Sequence, residues 1–261
     1  MVPTALRVKV EKKVACITID RPPVNALSRL VISELSQTLD AVAANPEIKA
    51  VVITGEGKCF VAGADLNELV ELLDDRRKAL KTSEEGQRLC DKIENLTKPV
   101  IAAINGACLG GGLELAMSCH IRIAADEAML GLPEIKLGII PGYGGTQRLS
   151  KLTDQAKALE LTLTGESIDG KEAERVGLVN RSCPAREVMP RAIEMAETIA
   201  LERSAVPVQA AMDAVLKGMK LSVGEGLALE ANYFADLFLS GDAKEGIKAF
   251  LEKRKAVFRD C

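Results

Sequence analysis

The chain has 261 residues, 48% of them hydrophobic and 27% charged, so it can bury a sizeable core and is not expected to be disordered. Its formal net charge of −3, with two Tyr, five Phe and no Trp, argues against a nucleic-acid-binding surface, which needs positive charge and aromatic stacking. This composition predicts an ordinary globular protein of one domain, or of one domain with a small appendage.

The hydrophobic pattern gives no sign of membrane insertion or export. The longest apolar stretch, residues 100 to 117, is interrupted by Asn105, four glycines and Glu114, which makes it a poor membrane span. The N-terminal sequence MVPTALRVKVEKK lacks the apolar core of a signal peptide. The seven cysteines form no CxxC pair and are odd in number, as expected for reduced thiols. We therefore expect a cytoplasmic protein with no membrane partner.

The N-terminal sequence predicts two strands, a loop and a helix. Residues 6 to 19 alternate and then become almost continuously apolar, which indicates two short strands joined at residues 11 to 13. The two prolines of DRPPVNALS cannot continue a strand ladder, so residues 21 to 26 are expected to form a rigid exposed loop. Ser28 is a candidate N-cap for the next helix, and Asn45-Pro46 is expected to end that helix.

The next predicted elements are a buried strand and a charged helical region. Residues 49 to 55 form the strand, and GKCFVAGADLNEL after it is predicted to be a loop followed by a helix. Residues 62 to 65 are small and would let a ligand approach the backbone, although Asp65 is also a candidate N-cap. Residues 66 to 97 are highly charged and predicted to be helical, with a break near residues 74 to 77.

The centre of the chain is a glycine-rich turn between a strand and a helix. The strand VIAAI (100–104) is followed by three consecutive glycines (110–112) and by LELAM, which is predicted to be helical. The free N–H groups and the dipole of such a helix N-terminus favour an anion, and Glu114 lies one turn past Gly111 on the same face. The residues alone leave two interpretations open, because first-turn glutamates and glycine runs also occur for purely structural reasons.

The chain has only one histidine, His120, which argues against several kinds of catalytic site. With no second histidine, the chain lacks the usual clusters for zinc or for facial-triad iron. A Ser-His-Asp triad would require His120 itself, and no GxSxG sequence supports one. We therefore interpret His120 as structural and expect no metal site.

The remaining residues are predicted to be mostly helical. Residues 120 to 132 indicate a strand, a turn and a short extended piece ending at Pro133-Glu134, and a glycine-rich loop at 138 to 145 leads into a helix from about Thr146. Amphipathic helices are then predicted at 185–203, 205–218, 222–240 and 242–258. Their apolar positions lack an obvious partner in the chain, so we interpret them as an oligomerisation layer, with internal packing as the alternative for any one residue.

With these elements placed, the chain resembles the enoyl-CoA hydratase (crotonase) family from about residue 8 to residue 258. The resemblance is carried by RPPVNALS, CFVAGADL, PVIAAINGACLGGGLELAMSCHIRIA, LPEIKLGIIPGYGGTQRL, GKEAERVGLVN and KEGIKAFLEKRKAVF. It implies an α/β fold, a crotonase-like spiral of repeated ββα units, followed by a C-terminal helical oligomerisation region. We place these parts at residues 1–200 and 201–261. The resemblance also implies a homohexamer built as a dimer of trimers.

The resemblance further implies an acyl-CoA site. The thioester carbonyl is expected to bind between the backbone amides of Ala64 and Gly111, and the two catalytic carboxylates are expected to be Glu114 and Glu134. Coenzyme A is part of the substrate, and no separate cofactor is expected. Two departures from the family pattern are His120, where many relatives have Asp, and Tyr143, which is expected to narrow the acyl pocket. The other expected substrate contacts are Val24, Ala26, Ala62, Asp65, Leu66, Gly110, Pro133 and Gly142.

Because family members with other activities commonly lack one of the two glutamates, the resemblance implies hydration of a trans-2-enoyl-CoA to a 3-hydroxyacyl-CoA. It assigns water activation to Glu114 and proton delivery at C2 to Glu134. Such a hydratase would act in fatty-acid β-oxidation or short-chain acyl-CoA metabolism. An enoyl-CoA isomerase, or a hydratase for a branched substrate such as methylglutaconyl-CoA, is the alternative on the same scaffold. A binding or assembly protein that kept the fold but lost the activity, for example one that contacts RNA, is a second alternative. The intact catalytic positions and the acidic charge disfavour it.

Overall fold

The computed structural model describes residues 4–261, which form two β-sheets surrounded by helices. The first two strands form an antiparallel hairpin whose turn residues, Lys12 and Lys13, adopt left-handed backbone angles, with φ of 47° and 64°. The strands of the described residues are β1 (Leu6–Glu11), β2 (Val14–Ile19), β3 (Ala50–Gly55), β4 (Cys59–Ala62), β5 (Val100–Ile104), β6 (Ala107–Leu109), β7 (Ile121–Ala125), β8 (Leu130–Gly131), β9 (Ser167–Ile168) and β10 (Arg181–Cys183).

The helices follow the strands along the chain, and several begin at a side-chain cap. Ser28 accepts a hydrogen bond from the Val31 N–H, which confirms it as the N-cap of the first helix. A 3₁₀ helix spans Pro133–Leu137. The α-helices are α1 (Arg29–Ala44), α2 (Leu66–Val70), α3 (Arg76–Glu94), α4 (Gly111–Ser118), α5 (Gly145–Leu152), α6 (Gln155–Thr164), α7 (Gly170–Arg175), α8 (Ala185–Glu202), α9 (Ala205–Gly218), α10 (Val223–Leu237) and α11 (Gly241–Leu251).

The two sheets are built by a repeating ββα unit. The six-stranded sheet has the order β1-β2-β3-β5-β7-β10 and is parallel from β2 onward, whereas the four-stranded sheet has the order β4-β6-β8-β9. In the pairs β3/β4, β5/β6 and β7/β8, the first strand enters the large sheet and the second enters the small one. A helix follows each pair. The predicted spiral of ββα units is therefore confirmed, and the spiral brings the chain segments that follow β4, β6 and β8 close together.

The core lies between the large sheet and helices α1 and α8. Strands β3 and β5 are buried at every position, as expected for central strands of a parallel sheet covered on both faces. Helix α8 packs against β3 and β7 through Val188, Ala192, Ala196 and Ala200, all of which are buried. Alanine at every fourth position leaves a smooth face, so the helix can lie close to the sheet.

Three sequence predictions differ from the structure. Residues 57 to 65 were predicted to be loop but contain β4, and the turn after β5 contains β6; these strands have four and three residues, too short to give a periodic pattern. The helix predicted at 242–258 ends at Leu251. Lys253 adopts a left-handed conformation with φ of 54°, and Arg254 forms an ion pair with Glu245 of α11. The residues after Leu251 are therefore not helical, although their apolar residues have helical spacing.

Among residues 4–261, no helix is both long enough and apolar enough to cross a membrane.

Candidate active site

Glu114 is positioned by the glycine-rich turn between β6 and α4. Gly110, the N-cap of α4, has φ of 50°, a left-handed angle that an L-residue rarely adopts. A Cβ at Gly112 would lie 2.1 Å from the Val61 carbonyl oxygen, so only glycine lets α4 pack this closely against β4. The first turn of α4 then carries Glu114, whose side chain is almost completely buried, with 1% of its surface exposed.

The carboxylate of Glu114 is held by a second glycine-rich turn. The backbone N–H groups of Tyr143 and Gly145 donate hydrogen bonds to its Oε1, at 2.7 and 2.6 Å. Gly145 is the first residue of α5 and follows Gly144, which has φ of 103°. The N-terminus of α5 therefore serves as an anion site whose anion is a side chain of the protein itself.

Glu134 lies in the first turn of the 3₁₀ helix and lines the same cavity as Glu114. A Cβ at Gly110 would lie 2.8 Å from Glu134 Oε1, so this carboxylate rests against the glycine that starts α4. Its Oε2 is buried and has no hydrogen-bond partner in residues 4–261. This oxygen is therefore available to a substrate or to water.

Burial makes both carboxyl groups harder to ionise than usual. The pKa of Glu114 is raised to about 7, chiefly by burial and also by the nearby Glu134 carboxylate, against the opposing effect of the Gly145 and Tyr143 N–H groups and of Arg148. Burial likewise raises the pKa of Glu134. A pair of carboxyl groups with raised pKa values in one cavity is suited to acid–base chemistry near neutral pH.

Ala64 and Gly111 also line this cavity. Gly111 is the first residue of α4, so its N–H has no intrahelical acceptor. Ala64 follows Gly63, which has φ of 94°, and is bridged to Leu27. Neither amide donates a hydrogen bond to another of the described residues. The residues that carry these two backbone donors and the two carboxylates thus line one cavity.

The rest of the cavity, whose volume is about 870 Å³, is apolar. The lining includes leucine and valine side chains of α2 and of the turn after it, three residues of α3 (Ala79, Thr82 and Ser83), residues 137 to 140 and Tyr143. Leu66 and Leu137 are 63% and 60% exposed, so the cavity is open to solvent at these residues. Its shape and chemistry suit an apolar chain extending from a polar group.

The other predicted substrate contacts lie around this cavity. Leu66 and Gly142 line it directly. Val24 and Ala62 are joined by a backbone hydrogen bond of 3.1 Å, which places the loop containing Val24 and Ala26 beside β4. Asp65 caps α2 and pairs with Arg21 at 2.9 Å. Gly110 directly precedes α4, which carries Glu114, and Pro133 is the first residue of the 3₁₀ helix that carries Glu134, but neither lines the cavity.

His120 and the cysteines have no contact with this cavity. The His120 Nδ1 accepts a hydrogen bond from the Val100 N–H at 2.9 Å, so its proton is on Nε2, which lies 3.2 Å from the Glu94 carbonyl oxygen. All seven cysteines are free thiols. Within residues 4–261, no group of three or more His, Cys, Asp or Glu side chains is arranged to hold a metal ion.

Sequence reasoning missed three features of the site: the amides of Tyr143 and Gly145, the guanidinium of Arg148, which donates to the Tyr143 carbonyl, and Gly86, against which the Tyr143 ring packs. The glycine pair before α5 was a usable signal for the amides, because it marks a second helix N-terminus. Gly86 and Arg148 lie inside helices and give no such signal.

The ββα spiral, with two carboxylates and two amide donors at its centre, defines an enzyme of the crotonase class. A family model described as "Enoyl-CoA hydratase/isomerase" matches residues 9–261. The chain is 47% identical to a probable enoyl-CoA hydratase of Bacillus subtilis, over 98% of each chain. It is 42% identical to the short-chain-enoyl-CoA hydratase of Clostridium acetobutylicum, over 94% of each. The crystal structure of enoyl-CoA hydratase from Bacillus anthracis superposes with a TM-score of 0.94 at 36% identity, covering 99% of this chain and all of the other. The chain therefore belongs to the enoyl-CoA hydratase/isomerase family.

Proposed function

We propose that the chain is an enoyl-CoA hydratase, which adds water across the 2,3 double bond of a trans-2-enoyl-CoA to give a 3-hydroxyacyl-CoA. The observation that carries this proposal is the presence of Glu114 and Glu134 in one cavity with the Ala64 and Gly111 amides. Relatives named enoyl-CoA hydratase, short-chain-enoyl-CoA hydratase and crotonyl-CoA hydratase support it. An isomerase, which moves one proton between carbons, needs only one well-placed base.

The proposed mechanism begins with the two amides. The N–H groups of Ala64 and Gly111 donate to the thioester oxygen, where negative charge develops as a C3–O bond forms and the C2–C3 π bond breaks. Removing one such donor from an oxyanion hole typically costs about 3 kcal/mol of transition-state stabilisation. The charge is stabilised by dipoles that are already oriented, since the turns before α2 and α4 fix both amides.

The two carboxylates divide the proton transfers. Glu114 accepts a proton from the water molecule that attacks C3, and Glu134 delivers a proton to C2 as the enolate collapses to the thioester. The net reaction consumes one water and leaves Glu114 protonated and Glu134 ionised. Proton exchange between the pair, or through solvent, restores the starting state.

This assignment predicts a bell-shaped dependence of kcat/KM on pH. Glu114 must be ionised and Glu134 protonated, so the active enzyme has one proton on the pair, and the two groups titrate together. At low pH both carboxyl groups are protonated and the base is lost; at high pH both are ionised and the acid is lost. Since burial raises the pKa values of both Glu114 and Glu134, we expect the profile to change near neutral pH, and initial rates of crotonyl-CoA hydration between about pH 5 and 9 measure it. A flat profile would contradict this division of roles.

Tyr143 is proposed to narrow the acyl pocket, and Gly86 provides the space that the Tyr143 ring needs. A Cβ at Gly86 would lie 2.1 Å from Tyr143 Cδ1, and a Cβ at Gly111 would lie 3.2 Å from Cε2, so the ring is packed between α3 and the start of α4. Gly86→Ala should push the ring away from α3 and into the cavity. We expect kcat/KM for a ten-carbon enoyl-CoA to fall at least about 10-fold more than that for crotonyl-CoA.

The control for Gly86→Ala is the double variant Gly86→Ala/Tyr143→Ala, which removes the displaced ring and should restore activity towards the longer substrate. Alanine also favours a helix interior over glycine by about 0.5–1 kcal/mol, so a weakened α3 would not explain the loss. Equal losses on both substrates, or no recovery in the double variant, would exclude Tyr143 as a determinant of chain length.

The proposal also includes the oligomeric state, cellular location and metabolic role of the enzyme. We propose a homohexamer, a dimer of trimers, in which the C-terminal helices bury large side chains that are exposed in a single chain, such as Leu227, Phe234 and Phe238, which are 60%, 64% and 52% exposed. We further propose that the enzyme acts in the cytoplasm in fatty-acid β-oxidation or short-chain acyl-CoA metabolism, without a cofactor other than the coenzyme A of its substrate.

The experiment that tests the function is product identification with two substrates. The purified protein is incubated separately with crotonyl-CoA and with trans-3-hexenoyl-CoA, and the products are identified by mass and retention time. A hydratase converts crotonyl-CoA to 3-hydroxybutyryl-CoA, with a gain of one water. Conversion of only the 3-enoyl substrate, without a change in mass, would instead identify an isomerase. No reaction with either substrate would overturn the proposal.

A further inference from the structure

The position of Glu114 depends on the turn formed by residues 141 to 145. Both hydrogen bonds found for the Glu114 Oε1 come from this turn, from the N–H groups of Tyr143 and Gly145. Gly144, between them, has φ of 103°, an angle that glycine adopts freely and that lets both N–H groups point to the same oxygen. Any group that fixes this turn therefore also fixes the carboxylate.

Arg148 is the side chain that connects this turn to the rest of the protein. Its guanidinium donates from Nη1 to the Tyr143 carbonyl oxygen at 3.0 Å. On the other side it contacts two carboxylates of α3: Nε is 3.0 Å from Glu94 Oε2, and Nη2 is 2.7 Å from Asp91 Oδ1. The Arg148 side chain is only 12% exposed. A planar fork of donors thus joins α3, the turn and the first turn of α5, which a single ammonium group could not reproduce.

We propose that Arg148 is a positioning residue for Glu114: by holding the Tyr143 carbonyl and supplying a partly buried positive charge, it keeps Glu114 ionised and aimed into the cavity. This inference rests on the proposed role of Glu114 as the base that activates water. Arg148 does not line the cavity, so it acts through the turn and through its charge and not by contact with substrate.

The charges around Glu114 support this assignment. The groups that face it are Glu134 from the 3₁₀ helix, Cys90 from α3, Tyr143 from the turn and Arg148 from α5. Of these, Arg148 is the only cation, and it favours the ionised form of Glu114, whereas burial and Glu134 disfavour it. Removing Arg148 would therefore take away the one positive charge among these groups, and the pKa of Glu114 should rise further.

The test compares Arg148→Met and Arg148→Lys with the wild type. We expect Arg148→Met to lower kcat for crotonyl-CoA at pH 7 by at least about 10-fold and to change KM by less than about 2-fold, because ground-state contacts to substrate are kept. The acidic limb of the kcat/KM profile should move to higher pH. Arg148→Lys keeps the charge without the fork and should lie between the two. The matched control is Arg175→Met, which removes an exposed arginine that pairs with Glu172 within α7.

A second readout does not depend on turnover. Glutamate labelled with carbon-13 at the side-chain carboxyl group is titrated by NMR, and the Glu114 signal is the one that disappears in Glu114→Gln. We expect its pKa to rise in Arg148→Met, to rise less in Arg148→Lys and to stay constant in Arg175→Met. If the wild type does not hydrate crotonyl-CoA but the Glu114 pKa shifts in this order, the proposed function fails and the positioning role stands.

The outcomes that would overturn the inference concern the pKa of Glu114. A folded Arg148→Met or Arg148→Lys variant whose Glu114 pKa and pH profile match the wild type would exclude a positioning role, whatever its kcat. If Arg148→Met does not fold, as judged by circular dichroism, Arg148→Lys decides the question. A purely structural role would lower the melting temperature and the fraction of active enzyme without moving either limb of the profile.

Discussion

Replacing Glu114 with Gln is expected to lower kcat for crotonyl-CoA hydration by about 10³-fold, within the range of 10² to 10⁴ typical of a general base. The amide oxygen of glutamine can still accept hydrogen bonds from the Tyr143 and Gly145 N–H groups, so the side chain should keep its place. It cannot accept the proton of the attacking water. The loss is measured as the initial rate of disappearance of the conjugated-thioester absorbance at saturating substrate.

The stability of Glu114→Gln provides the control. In the folded protein the pKa of Glu114 is raised from 4.5 to about 7, so the folded state holds this proton to higher pH than the unfolded state does. The free energy of unfolding therefore falls as pH rises from about 4.5 to 7. Above that range, burying the ionised Glu114 costs up to about 3 kcal/mol. Glutamine has no charge to bury, so the variant should unfold at higher denaturant concentration than the wild type at pH 8, with little difference at pH 4. A variant that loses activity and stability together would not test the catalytic role.

Replacing Glu134 with Gln is the second large effect, with an expected loss in kcat of about 10²-fold or more. The carboxyl group of Glu134 lines the cavity, and its Oε2 has no partner within residues 4–261, so the substitution breaks no known hydrogen bond of that oxygen. What it removes is a proton donor to C2. The expected result is therefore a fall in kcat with coenzyme A affinity unchanged.

The roles of the two glutamates can be separated with a substrate analogue that has no hydroxyl group. Butyryl-CoA in heavy water should exchange a C2 proton for deuterium when the group that serves C2 acts in reverse as a base, and NMR or mass spectrometry measures this exchange. Glu134→Gln should abolish the exchange, whereas Glu114→Gln should retain most of it. The reverse pattern would mean that the two roles have been assigned to the wrong residues.

Local sequence patterns give a physical reason for the position of Glu114, whereas the role of Glu134 beside it rests on the resemblance. A glycine run before a helix predicts exposed N–H groups near a first-turn carboxylate, and that arrangement is present in α4. Glu134 follows Glu114 by twenty residues, with β7 and β8 between them. No local sequence pattern predicts that the fold places both residues in the same cavity. Proximity of this kind is a property of the sheet order, which periodicity does not encode.

Other features could not be predicted because the signals were short or absent. Strands β4 and β6 are too brief to show alternation, yet β4 ends two residues before Ala64 and β6 directly precedes the α4 turn. Gly86 has the sequence context of an ordinary glycine in a helix, and its purpose is visible only because the Tyr143 ring packs against it. The tail after Leu251 kept an apolar spacing typical of a helix but is turned back by contacts with α11.

The most direct test of the account is a double-mutant cycle on the two carboxylates, measured as kcat for crotonyl-CoA in the wild type, Glu114→Gln, Glu134→Gln and the variant with both substitutions. If the pair acts as one acid–base unit, each single variant loses about 10²-fold or more and the double variant is little worse than the poorer single variant, because half of the unit is already ineffective. Near-wild-type activity in either single variant, or losses that simply multiply in the double variant, would contradict the two-carboxylate mechanism.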